Sequence, residues 1–195
     1  MKLRLWFGLV IWLAVVFALL KVTDAAKLSL FDPEQTLVMK SLEAEFEPQL
    51  TKTLKTVSPN LANRVFHIRA DDCICEALAE NHSQELSQSL ANLGFQNELI
   101  DLKLMPQLAE FVPATPAVAV FNDNEQLLYL GPYSVGLGCL TNNSLSQQIS
   151  NMSQVDYLGS QINADVKGCY CHPQLASLNK QNTPSLHLFA TIVSG

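Results

Sequence analysis

Basic residues are scarce in this chain. It carries 12 Lys and Arg against 18 Asp and Glu, and from residue 28 onward 8 basic residues face 17 acidic ones, a net of −9. So acidic a surface repels phosphate backbones and anionic headgroups, which argues against nucleic acid and against a polybasic membrane contact as partners. Glycine is also thin, with eight residues and no phosphate-cradling glycine loop, and no cofactor is expected. The Ser, Asp and Glu residues form no recognisable hydrolase constellation. There is no low-complexity tract. No cysteine precedes residue 73, so a lipidated mature N-terminus is not expected.

The cysteines that are present are arranged unusually. There are five, as Cys73-Ile74-Cys75, a single Cys139, and Cys169-Tyr170-Cys171. An odd count leaves at least one thiol unpaired, metal-bound or catalytic, unless two chains are bridged. The first pair stands where a β-rich run turns into an amphipathic helix, a position at which backbone amides favour a thiolate.

The N-terminus reads as a membrane-targeting segment. Leu5 to Leu20 is an unbroken run of 16 apolar or small residues, flanked by Lys2, Arg4 and Lys21. This falls between a secretory hydrophobic region and a spanning helix, and Leu3 and Val22 extend it if Arg4 and Lys21 snorkel to the interfaces. Cleavage after Ala25 or Ala26 would place Thr23 or Asp24 at the −3 position, both poor, so an uncleaved anchor is expected over a cleaved signal. The flanking charges keep the N-terminus cytoplasmic and send the remainder across. The expectation is a bacterial inner-membrane protein, single pass, held in lipid through residues 5–20, with its domain facing an oxidising periplasm.

Beyond residues 1–27 the chain divides into a helical extension over 28–61, an α/β core over 62–152, and a loop-rich C-terminal extension over 153–195. Asp32, Pro33 and Gln35 form a helix start, with Asp32 as N-cap and Pro33 at N1. Leu37, Val38, Leu42 and Phe46 follow at helical spacing until Pro48. Arg64 to Arg69 is a β-rich run. Asp71-Asp72 then caps a helix with the apolar face Ile74, Leu78, Leu86, Leu90 and Leu93, ending at Gly94. A strand is expected in Phe95 to Leu104 and a short helical patch in Met105 to Phe111. The apolar run Ala117 to Phe121 turns through Asn122 to Glu125 into Gln126 to Leu130. Ser144 to Met152 is a final helix.

A β-α-β unit followed by a β-hairpin and a helix resembles the thioredoxin-like pattern over roughly residues 62–152. Cys73 and Cys75 stand at the strand-to-helix junction where thioredoxins carry C-x-x-C. Thr115-Pro116, just before an apolar strand, resembles the cis-proline that faces that junction. More narrowly, Asp72-Cys73-Ile74-Cys75, Thr115-Pro116-Ala117, Gly131-Pro132-Tyr133-Ser134 and Gly168-Cys169-Tyr170-Cys171 resemble a family of membrane-anchored, thioredoxin-like bacterial proteins of unknown function. The resemblance implies a thioredoxin-like sheet flanked by helices. This chain departs from thioredoxins in having one intervening residue instead of two and no Trp immediately before the first cysteine.

Residues two apart on an α-helix point about 200° apart, so Cys73 and Cys75 cooperate only if Cys73 leaves the helix. With Asp72 as N-cap, Cys73 would stand at N1 and Cys75 at N3. The helix end lowers a thiol pKa there, whereas Asp71, Asp72 and Glu76 raise it, which disfavours a strongly oxidising site. An extended Cys169-Tyr170-Cys171 puts both sulfurs on one face, suited to exchange with the first pair or to share a metal with it. His82 reads as a core histidine, while His67 and His187 have no convincing partner.

The resulting expectation is thiol–disulfide exchange with protein substrates. Cys73 is the attacking thiol and Cys75 its immediate partner. Thr115 and Pro116 hold a substrate strand by backbone hydrogen bonds. Cys169 and Cys171 form an auxiliary pair, and Cys139 is a possible resolving thiol. Two other readings use the same residues: a thiolate site for copper or zinc, and an interaction domain whose disulfides are structural.

Overall fold

A computed structural model describes residues 2–25, 28–71, 73–136 and 145–172. Helix α1 (Lys2–Ala25) leads into a short strand β1 (Ser29–Leu30) and two short helices, α2 (Thr36–Ser41) and α3 (Phe46–Leu54). Strand β2 (Arg64–Arg69), helix α4 (Ile74–Asn92) and strand β3 (Gln96–Asp101) form the β-α-β unit. A 3₁₀ turn (Pro106–Glu110) precedes the hairpin of β4 (Ala117–Phe121) and β5 (Leu127–Gly131). Helix α5 (Ser146–Met152) and two short strands, β6 (Gln161–Ile162) and β7 (Lys167–Gly168), follow among the described residues.

The membrane expectation is overturned. Among the described residues, no helix is long and apolar enough to cross a membrane. The unbroken apolar run of 16 residues rises only about 24 Å as a helix, against a hydrocarbon core of about 30 Å. The N-terminal transmembrane helix, the single-pass inner-membrane placement and the periplasm-facing orientation derived from it are withdrawn together.

What stands is an α/β fold on one mixed sheet of five strands, in the order β3-β2-β4-β5-β6. Strand β2 runs parallel to β3 and antiparallel to β4, and the β4–β5 pair is antiparallel. The crossover α4 is what permits the parallel β2–β3 pairing, since parallel neighbours need a long connection. All five residues of β4 are buried. Their alternation divides the core. Ala117, Ala119 and Phe121 join Phe31, Leu50, Leu54, Phe66 and Ile68 on one face. Val118 and Val120 join Val65, Leu86, Leu90 and Ile149 on the other. A continuous apolar run is therefore the signature of a strand covered on both faces.

The N-terminal helical extension is broken in two. Asp32 does act as a cap: its carboxylate accepts from the amides of Thr36 and Val38 at 3.0 and 2.9 Å. The helix it serves begins at Thr36, after Gln35 turns through φ 56°. Pro48 does not interrupt α3 but lies in its first turn, where a missing N–H costs nothing. In the C-terminal extension, β6 pairs parallel with β5 and adds a fifth strand. Strand β7 pairs antiparallel with β1, setting Gly168 opposite Ser29. These two-residue strands are too short to show a period in sequence, and their partners decide them.

Candidate site at the crossed cysteine pairs

Helix α4 starts one residue later than expected. Its N-cap is Cys73, with extended backbone at φ −104° and ψ 115°, and Ile74 is the first helical residue. Cys73 thus stands outside the helix, the condition on which cooperation with Cys75 depends. The buried stripe of α4 is Cys75, Ala79, His82, Leu86 and Leu90, which places Cys75 on the inward face and leaves Ile74 exposed. His82 is indeed a core residue.

The two C-x-C segments run antiparallel and are bonded crosswise. Cys73 is joined to Cys171 and Cys75 to Cys169, with Cα–Cα separations of 6.0 and 5.5 Å. Cys73 therefore has Cys171, not Cys75, as its bonded partner. The inner bridge is buried, with Cys75 and Cys169 at 4% and 2% exposure, whereas Cys73 and Cys171 of the outer bridge are half-buried. The sulfurs of Cys73, Cys75 and Cys171 lie within 4.8 Å of one another. Cys139 lies outside the described residues, as does His187.

The Thr115–Pro116 bond is cis. Thr115 faces the strap formed by residues 167–172: its N–H donates to the Cys171 carbonyl at 2.9 Å, and its carbonyl accepts from the Cys171 N–H at 2.8 Å. The backbone groups expected to hold a substrate strand are engaged by the chain's own second cysteine pair. Other contacts hold the strap without any sulfur. The Tyr170 hydroxyl donates to the Ser134 carbonyl at 2.9 Å, and its ring meets Phe31 edge-on at 5.2 Å. His172 Nε2 lies 2.9 Å from the Leu30 carbonyl. A Cβ at Gly168 would run into the Tyr170 ring, which is why a glycine stands before this C-x-C.

Beside Pro116 a cavity of about 400 Å³ is lined by His67, Glu76, Glu80, Ser83 and Tyr133, among others. Burial raises the Glu76 carboxyl above its ordinary pKa, opposed by the Ala70 N–H that it accepts at 3.1 Å and by the nearby Thr115 hydroxyl. That hydroxyl is buried and closes no full hydrogen bond among the described residues. His67 has the partners that the sequence does not reveal. Nδ1 lies 2.6 Å from the Tyr133 hydroxyl, and Nε2 lies 2.9 Å from Asn97 Oδ1 and 3.0 Å from Ser87 Oγ. Burial lowers the His67 pKa and pushes Tyr133 well up, so both are neutral near pH 7. The available signal was Tyr133 in Gly131-Pro132-Tyr133-Ser134, which reads as a turn until β5 is seen to aim it across the sheet at β2.

Residues 42–173 match the family described as a domain of unknown function (DUF6436). The chain belongs to this family. The matched region includes both C-x-C pairs, Thr115-Pro116 and Tyr133, and begins after α1 and α2. No curated protein and no solved structure matches.

Proposed function

We propose that this domain carries out thiol–disulfide exchange on protein substrates, through the outer pair Cys73 and Cys171. The observation that carries this reading is the convergence of the Cys73, Cys75 and Cys171 sulfurs within 4.8 Å at the start of a 19-residue helix. The strand order β3-β2-β4-β5, with Pro116 immediately ahead of β4, supports the resemblance to thioredoxin-like oxidoreductases.

In the reduced domain Cys73 is the nucleophile, because the N-terminus of α4 stabilises its thiolate. It attacks one sulfur of a substrate disulfide, forming a mixed disulfide and releasing a substrate thiolate that takes up a proton. Cys171 then loses its proton and attacks the Cys73 sulfur, expelling the second substrate thiol and closing the Cys73–Cys171 bridge. The substrate disulfide has gained two electrons and two protons, and the domain has lost them. A dithiol reductant resets the pair. Thr115 acts as a positioning residue, since its two backbone hydrogen bonds hold Cys171 against Cys73. The buried inner bridge, Cys75–Cys169, staples the extension onto the core.

The test is reduction of a disulfide-linked reporter peptide with a dithiol as electron source. Cys73→Ser is expected to lower turnover at least 100-fold. Cys171→Ser is expected to accumulate a mixed disulfide on Cys73, visible by mass spectrometry. Wild-type turnover in Cys73→Ser would overturn the proposal, and so would an outer bridge that a dithiol opens only in unfolded protein.

A further inference from the structure

The geometry points to a second use of the same sulfurs: in the reduced domain Cys73, Cys75 and Cys171 form a trigonal thiolate site for Cu(I). This goes beyond exchange chemistry; it shares with that reading the need for the outer bridge to open in the folded domain, and it adds the opening of the inner bridge. The decisive feature is that the strap is held by contacts that involve no sulfur as well as by its two bridges. Tyr170 is buried in the core against Phe31 and bonded to Ser134, Cys171 is paired with Thr115 through both backbone groups, and His172 contacts Leu30. Opening the bridges therefore leaves the thiols side by side.

Reduction of each bridge takes two electrons and two protons from a dithiol, which becomes a disulfide. The product is a crowd of thiols around the first turn of α4. Metal–thiolate bonds of about 2.3 Å set three trigonal sulfurs about 4 Å apart. The three sulfurs already lie within 4.8 Å of one another, so side-chain rotation suffices. Cys73 and Cys171 are half-buried, which leaves an entry path, while Cys75 is buried and gives the site a floor. A bound ion displaces the thiol protons and neutralises part of the thiolate charge, and the helix end favours the rest.

Ligand type and number select the metal. Thiolates favour Cu(I) and zinc among biological cations, but structural zinc sites want four ligands and spacings of C-x₂₋₄-C. Here the close set is three, with C-x-C spacing. Cys169 is bonded to Cys75 but falls outside that set, which favours a three-coordinate ion.

The experiment uses the full chain, reduced and kept anaerobic, competing against a chromophoric Cu(I) chelator, with X-ray absorption on the loaded protein. Expected are one Cu(I) per chain, three sulfur neighbours and no uptake by the oxidised protein. Cys73→Ser, Cys75→Ser and Cys171→Ser each weaken binding at least 100-fold, and Cys169→Ser less than tenfold. The absorption measurement needs no variant and so does not hinge on their folding. Loss of the fold on reduction would overturn the inference, because it requires the strap to stay docked. Failure to compete, or preferential zinc binding by four sulfurs, would overturn it as well.

Discussion

At the residue scale, the chemistry of this domain depends on one backbone position. Were Cys73 helical, its sulfur would point away from that of Cys75; as an extended N-cap it turns back towards it. The need for this was legible from helix geometry, but the residue that supplies the cap was not, since Asp71 and Asp72 are the stronger capping types. His67 is the clearest residue that the sequence hides. Its three partners come from β3, α4 and the segment after β5, with Glu80 as the facing charge. Burial holds its folded pKa below the unfolded value of about 6.5. The unfolded chain therefore binds the proton first, and stability is complete above that pH and lost as pH falls through it towards the folded value. His67→Gln is expected to flatten this acid limb in thermal melts taken between pH 7 and pH 5. Tyr133→Phe leaves Nδ1 unpaired and should cost about 1–3 kcal/mol in urea unfolding at neutral pH.

At the scale of elements, the strap is joined to the body by β1 and by Thr115, not by length or period of its own. Strand β7 has two residues, and Cys171 makes an isolated bridge. Gly168 is the element's weak point, because the Tyr170 ring occupies the space where a side chain would grow. Gly168→Ala is expected to destabilise the domain by about 1–3 kcal/mol, the range for overpacking a filled site. Hydrogen exchange should localise the loss to residues 167–172, and the outer bridge should become more reducible. An unchanged exchange pattern would show that the ring moves aside freely. Strands β2, β4 and β5 were readable from β-rich or apolar runs of five or six residues, and α4 from its periodicity. Its buried stripe was read correctly at His82, Leu86 and Leu90 but not at its ends, because Ile74 and Leu93 are the larger apolar residues, yet Cys75 and Ala79 point inward.

At the scale of the whole molecule, the two bridges close almost the same loop, with sequence separations of 98 and 94 residues. A loop of that size restricts the unfolded chain by about 4.7 kcal/mol in the chain-entropy account. Once one bridge exists, the other closes only a few residues more. Removing either pair as Ala substitutions should therefore cost much less than half of what removing both costs. Urea unfolding of Cys73→Ala/Cys171→Ala, of Cys75→Ala/Cys169→Ala and of the fourfold variant measures this directly. Additive losses would contradict it.

The sequence by itself determined the α/β order, the acidic surface and the cysteines as the centre of interest, because periodicity, charge and residue type are local properties of a chain. Its apolar N-terminal run suggested an anchor, but among the described residues no helix is long and apolar enough to cross a membrane. Only the tertiary structure decided which sulfur meets which. The crosswise pairing follows from an antiparallel approach of two segments nearly a hundred residues apart, set by the contacts of Thr115, Tyr170 and His172. No spacing within either C-x-C encodes that approach, since it depends on how β4, β7 and the start of α4 come together.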